Sequence, residues 1–112
     1  MARKFKFHRK RDKRKAFLKI LANNLIEHEK ITTTVARAKA LKSFIEKIIS
    51  RAKKQNLSSL RYLLGLFSKK IAFKIYYDLA KRYENRTGGY VRIIKLGKFK
   101  KDGSELATIE FV

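Results

Sequence analysis

An α+β fold is what this 112-residue chain predicts. The expected order is α-β-α-α-α-β-β: a two-layer α/β arrangement with a small three-stranded mixed sheet packed against helices, plus a basic N-terminal arm. Three observations carry this reading. Apolar residues recur at helical spacing through most of the stretch from Ala16 to Tyr83. Two β-rich runs close the chain with a turn signal between them. Nine of the first fifteen residues are Lys or Arg, opposed only by Asp12, and that stretch has no clean period.

The elements follow in order. Residues 1–11 read as the arm, and 12–112 as a single globular domain. Asp12 is placed to cap a first helix, because its carboxylate can accept from exposed backbone N–H groups. Ala16, Phe17, Ile20, Leu21 and Leu25 form the apolar face of that helix, which should end near His28 or Glu29. Ile31 to Val35 is β-branched throughout and predicts a short strand. Thr33 or Thr34 would close it and cap the next helix. That second helix has the strongest period in the chain, with Val35, Ala38, Leu41, Ile45, Ile48 and Ala52 inward and Arg37, Lys39, Lys42, Lys47 and Lys53 largely off the stripe. Gln55-Asn56 breaks it. A short third helix is expected from Ser58 or Ser59 with Leu60, Leu63, Leu64 and Phe67 inward, although Gly65 costs about 1 kcal/mol relative to Ala. A fourth carries Ile71, Ala72, Ile75, Tyr76, Leu79, Ala80 and Tyr83 on one stripe. Strands are expected over Tyr90–Leu96 and Leu106–Val112, joined through Asp102-Gly103, a strong turn pair.

Composition narrows the function. The formal net charge is +21, from 30 Lys and Arg against 9 Asp and Glu. Charge at that density weakens the compact state by self-repulsion and calls for a polyanion; nucleic acid, with its dense regular phosphates, is the natural one. The surplus does not stop at the arm, since residues 16–112 still hold 21 basic against 8 acidic side chains. A hydrophobic content of 45% is enough to bury a core, which sets the chain apart from a disordered basic tail. With no Cys there is no disulfide, thiolate metal site or cysteine nucleophile. No apolar run is long enough to predict a membrane span, and the N-terminal stretch lacks the apolar core of a secretory signal. The two histidines, His8 and His28, do not fall in a metal-ligand pattern, and neither a Gly-rich phosphate motif nor GxSxG is present. No enzyme activity, cofactor, metal or small-molecule substrate is expected.

Two further features suit a nucleic-acid surface. Around Gly88-Gly89, backbone freed of Cβ can present N–H groups to a phosphate oxygen, with Arg86 and Arg92 flanking it to hold the anion bidentately. Tyr90 then either stacks on a base or packs into the core, and spacing supports both. Phe5, Phe7 and Phe99 stand among lysines, an interleaving in which rings meet bases and cations meet phosphates.

The order of these motifs resembles a known family, the bacterial large-subunit ribosomal protein seventeen, over essentially the full chain. The residues that carry it are Arg14-Lys15-Ala16, His28-Glu29, Thr33-Thr34, Arg37-Ala38-Lys39, the string from Arg86 through Gly88, Gly89, Tyr90 and Arg92 to Ile93, Lys95-Leu96-Gly97, Asp102-Gly103 and the ending from Ala107 to Val112. The resemblance implies the same two-layer fold and a structural constituent of the large ribosomal subunit in the cytoplasm. It implies binding and clamping of large-subunit rRNA near the polypeptide exit side, next to neighbouring large-subunit ribosomal proteins. The chain departs from the family at His8, where Gly is usual, and at Arg11-Asp12-Lys13, where a Ser-Ser-His run is usual. Residues 55–70 match poorly, and no contact is carried over there. Charge, turn and resemblance together give the candidate RNA-binding set: Arg3, Lys4, Lys6, His8, Arg9, Lys10, Arg11, Lys13, Arg14, Lys15, Lys19, His28, Thr33, Thr34, Arg37, Lys39, Arg86, Gly88, Gly89, Tyr90 and Arg92. The rival reading is a nucleoid-type DNA-binding protein, against which stands the strand, rather than a short turn, between the first two helices.

Overall fold

The computed structural model describes the backbone of residues 2–112 and side chains from Lys13 onward. The α1 helix runs Ala2–His28, β1 Lys30–Thr34, α2 Val35–Ala52 and α3 Leu57–Leu66. A fourth helix, α4, spans residues 69–82, and β2 (Val91–Phe99) and β3 (Glu105–Phe111) complete the chain. The order α-β-α-α-α-β-β and the α+β class agree with the sequence reading. Asp12 lies inside α1 rather than at its start. The expected arm at 1–11 falls where side chains are outside the described residues.

Local chemistry accounts for the helix boundaries. Thr34 ends β1 and caps α2, its hydroxyl accepting from the Arg37 N–H at 3.3 Å. The α3 helix begins one residue before the expected serines because Asn56 and Ser59 form a capping box. The Ser59 N–H donates to Asn56 Oδ1 at 2.8 Å, and the Asn56 N–H to Ser59 Oγ at 3.3 Å. Helix α4 is α-helical over Lys69–Phe73, widens to a π-helix over Lys74–Leu79 and returns to α over Ala80–Arg82. Its stripe still faces inward: Ile71, Ala72, Ile75, Leu79, Ala80 and Tyr83 are buried and Tyr76 is half-buried.

The sheet corrects one expectation. It is antiparallel throughout, in the order β1-β3-β2, and not mixed. The turn at Asp102-Gly103 sends β3 back along β2, and β1 then pairs with the free edge of β3, Ile31 opposite Ile109 and Thr33 opposite Ala107. β3, the last strand in sequence, is therefore central, and its Ala107, Thr108 and Ile109 are all buried. The register of β2 slips between Lys95 and Phe99, at Gly97 with φ +68°, the left-handed conformation that glycine adopts without a Cβ clash.

Helix α2 is the spine. Ala38, Leu41, Ile45, Ile48, Ile49 and Ala52 are at most 1% exposed, and truncating such a Leu or Ile to Ala costs about 2–5 kcal/mol. Among the described residues of α1, Ala22, Leu25 and Ile26 are buried and Leu18 and Leu21 pack partly buried against the core. The expected inward positions Phe17 and Ile20 are 39% and 57% exposed, and Ala16 is exposed too. In α3, Leu63 is buried but Leu64 faces out, because this short helix packs by the single row Ser59, Leu63 and Phe67.

Candidate nucleic-acid interface

Carboxylates sort the lysines and arginines of this surface into two groups. Where α1 ends, Glu29 takes φ 62° and its N–H closes on the Leu25 carbonyl, so the chain turns there into β1. The Glu29 carboxylate is gripped by Arg82 and by Lys74 at 3.4 Å. Arg82 also binds Asp78 at 3.1 Å, and Lys70 reaches Glu27 at 3.9 Å. These contacts tie the end of α1 to α4. The hydrogen bond from Arg82, opposed by burial and helped by the Arg82 and Lys74 charges, holds the Glu29 carboxyl below its ordinary value of 4.5. Arg82 is raised in turn, first by that same bond. On the sheet, Glu110 of β3 accepts from Arg92 Nε at 2.9 Å and lies 3.9 Å from Lys30.

The second group has no such partners. Lys13, Arg14, Lys15, Lys19, Arg37, Lys39, Lys42, Lys47, Arg51 and Lys54 pair with no carboxylate among the described residues. These ten belong to α1, α2 and the turn just after α2. Further described cations without a carboxylate partner, Arg61, Lys69, Lys81, Arg86, Lys95, Lys98, Lys100 and Lys101, are spread over α3, α4, the Gly88 turn and the β2–β3 hairpin. Between α1 and α2 lies an open groove of about 680 Å³ lined by Lys13, Arg14, Phe17, Leu18, Leu21, Ala36, Arg37 and Ala40. The Arg37 guanidinium sits 4.7 Å from the centre of the Phe17 ring.

At the other end of α2 a cleft of about 570 Å³ opens between α2, the start of α3 and the Gly88 turn. Lys47, Arg51 and Lys54 line it, with Ser58 and Thr87 supplying hydroxyls. The one acid there, Glu46, is engaged, since its carboxylate accepts from the Tyr90 N–H at 3.1 Å. Arg51 is stacked 3.9 Å over Tyr62, which fixes its plane.

The turn itself behaves partly as expected. Gly89 has φ +65°, whereas Gly88 is not left-handed. Tyr90 takes the core alternative: it is 1% exposed, its ring lies 5.4 Å from that of Tyr83, and its hydroxyl accepts from Lys53 Nζ at 3.0 Å. Burial pushes the Tyr90 hydroxyl up, but the bonds from Lys53 and Ser50 and the Lys53 charge outweigh it and hold the group below its usual value. Tyr90 therefore anchors the turn instead of stacking on a base. Arg92 is turned to Glu110, and Arg86 is left exposed at the turn.

Other sequence-predicted positions separate in the same way. Thr33 and Thr34 are buried, at 9% and 8% exposure, and serve the sheet and the α2 cap rather than a surface. His28 is exposed at the end of α1, Lys39 is exposed on α2, and Lys19 is half-buried. Phe99 is 65% exposed on the hairpin, among Lys98, Lys100 and Lys101. The predicted contacts Arg3, Lys4, Lys6, His8, Arg9, Lys10 and Arg11, with Phe5 and Phe7, lie outside the residues whose side chains are described. Four groove and cleft residues escaped the sequence reading: Phe17, assigned there to the core, and Lys47, Arg51 and Lys54. For Lys47, Arg51 and Lys54 the signal was present in the polar face of α2 and the turn after it, but nothing local distinguished them from solvated surface charge.

A small, strongly basic α+β domain, with a dense set of cations on α1 and α2 that meet no carboxylate among the described residues, is the class that fold and surface define. The chain belongs to the ribosomal protein L17 family, whose family model matches residues 17–112. It is 46% identical over 108 residues to the large ribosomal subunit protein bL17 of Hydrogenobaculum sp., covering 95% of this chain and 92% of that protein. It is 49% identical over 107 residues to the bL17 of Bdellovibrio bacteriovorus, covering 95% of this chain and 59% of that protein. To the bL17 of Pseudarthrobacter chlorophenolicus it is 46% identical over 93 residues, covering 82% of this chain and 49% of that protein. The chain thus spans about half the length of some relatives it matches and nearly all of others.

Proposed function

We propose that this chain is a structural constituent of the large ribosomal subunit that binds and clamps large-subunit rRNA, and that it does so by charge rather than by catalysis. The observation that carries the reading is the set of α1 and α2 cations that meet no carboxylate among the described residues, in a chain of the L17 family. Such cations displace condensed counterions when they meet phosphates, which supplies affinity without sequence readout. The groove end engages one RNA segment and the cleft beside Gly88 another, with α2 as a rigid spacer between them. The basic residues of the arm, Arg3 to Arg11, extend the first contact. The site of action is the cytoplasmic ribosome, near the polypeptide exit side and beside neighbouring large-subunit proteins.

Cosedimentation of the chain with large ribosomal subunits in high salt tests the reading, followed by crosslinking to locate it. Retention on large subunits, with rRNA crosslinks from Arg51 or Lys54, is the expected result. Loss of the chain from subunits at salt concentrations that leave other large-subunit proteins bound, or tighter binding to duplex DNA than to rRNA, would sink it.

A further inference from the structure

The groove between α1 and α2 holds more than charge. Its floor is Leu18, Leu21, Ala36 and Ala40, and its rim is Lys13, Arg14 and Arg37, with no acid in the described lining. The opening comes from residue size. Ala36 and Ala40 stand one helical turn apart on α2, opposite Phe17 and Leu21, likewise one turn apart on α1, so the α2 row is too short to fill the space. Phe17 is left 39% exposed with the Arg37 guanidinium against its ring, while the surrounding helices are firmly packed at Ala38 and Leu41. The ring stays open beside the cation because Ala40 is too small to cover it.

We propose that this groove is a nucleobase-binding site, which takes one unstacked base of a single-stranded RNA segment against the Phe17–Arg37 pair. The inference rests on the RNA-binding reading and deepens it. A base has apolar faces that suit the Leu and Ala floor, and it stacks on aromatic rings and guanidinium planes alike. Its own phosphate and the next one along each carry one negative charge and meet Lys13 and Arg14 at the rim. The volume, about 680 Å³, lies within the roughly 300–1,000 Å³ usual for small-ligand sites. An apolar side chain of a protein partner would fill the floor but would leave three cations unanswered, and this charge complementarity decides in favour of RNA.

The test compares a short single-stranded oligoribonucleotide with an abasic ribose–phosphate strand of the same length, titrated against the full chain at several salt concentrations. The expected result is a preference of roughly 5- to 150-fold for the strand with bases, with equal salt slopes for the two strands because their charges are equal. Phe17→Ala removes the ring from an exposed position, and Ala40→Leu fills the groove without deleting any core atom; both should abolish the preference and leave the salt slope unchanged. Equal binding of the two strands by the unsubstituted chain, with RNA affinity intact, overturns the base site and leaves the RNA-binding reading standing. So does a preference that survives either substitution. Absence of binding to either strand and to folded rRNA overturns both.

Discussion

The end of α1 and the groove seven residues before it use the same kinds of basic side chain to opposite effect. At the end, Lys70, Lys74 and Arg82 are answered by Glu27, Glu29 and Asp78, and the result is a weld between α1 and α4. In the groove, Lys13, Arg14 and Arg37 face a lining with no acid among the described residues, and the result is a surface that calls for a counterion. The lesson is that a net charge says how much polyanion a protein can take and nothing about where. Location is decided by the few acids. Of nine, five sit in the weld (Glu27, Glu29, Asp78), on the central strand of the sheet (Glu110) or against the Tyr90 N–H (Glu46).

The contrast can be broken by experiment. The largest effect should come from deleting residues 1–11. Six cations go with them, so the slope of log affinity for RNA against log salt should flatten by up to about 4. The melting temperature should change little, since the described core contacts of α1, from Leu18 to Ile26, all lie beyond the deletion. An unaltered slope after deletion would mean that the α1–α2 cations act alone. Next, Lys13→Gln, Arg14→Gln and Arg37→Gln together should flatten the slope by about 2–3 units. The pair Lys70→Gln and Lys74→Gln should leave it unmoved, although it removes two like charges. Equal effects from the two sets would erase the distinction between welded and free cations.

The third experiment concerns stability. Gly89→Val places a β-branched residue at φ +65°, which costs about 1–2 kcal/mol for the left-handed conformation. Thermal denaturation checks it, and Gly89→Asn should recover part of the loss because Asn tolerates that region. The smallest effect belongs to the weld. Its partly exposed pairs contribute little, so Glu29→Gln should cost at most about 1 kcal/mol at neutral pH. The sign follows from the lowered Glu29 carboxyl. The stability it adds is fully present above the ordinary value of 4.5 and is lost as pH falls through the lower folded value. Denaturant melts of the parent and Glu29→Gln should therefore converge in acid. A difference that grows below pH 4 would contradict the geometry.

Much of the fold was legible, and the failures share a cause. The α2 and α4 stripes read correctly because each is covered along its whole length, so periodicity and burial coincide; even the π-helix over Lys74–Leu79 did not turn the stripe out of the core. The reading of α1 failed at Phe17, which the small Ala36 and Ala40 leave uncovered, and at Ile20, which faces out, because an apolar period cannot report what stands opposite it. Tyr90 was undecided in sequence and was settled by Tyr83, Lys53 and Glu46, which approach from elements remote in the chain.

What the sequence determined by itself was local and compositional: the caps at Thr34 and Asn56, the helical stripes, the Asp102-Gly103 turn, and a charge that demands a polyanion. Each depends on neighbours within a helical turn or on a sum over the whole chain. Only the tertiary structure decided that β3 pairs with both other strands, that Thr33, Thr34 and Tyr90 face inward, and that Ala36 and Ala40 leave Phe17 uncovered beside Arg37. Those outcomes depend on which distant surfaces meet. A residue's own neighbours along the chain carry no record of whether a carboxylate, a ring or open space will stand opposite it.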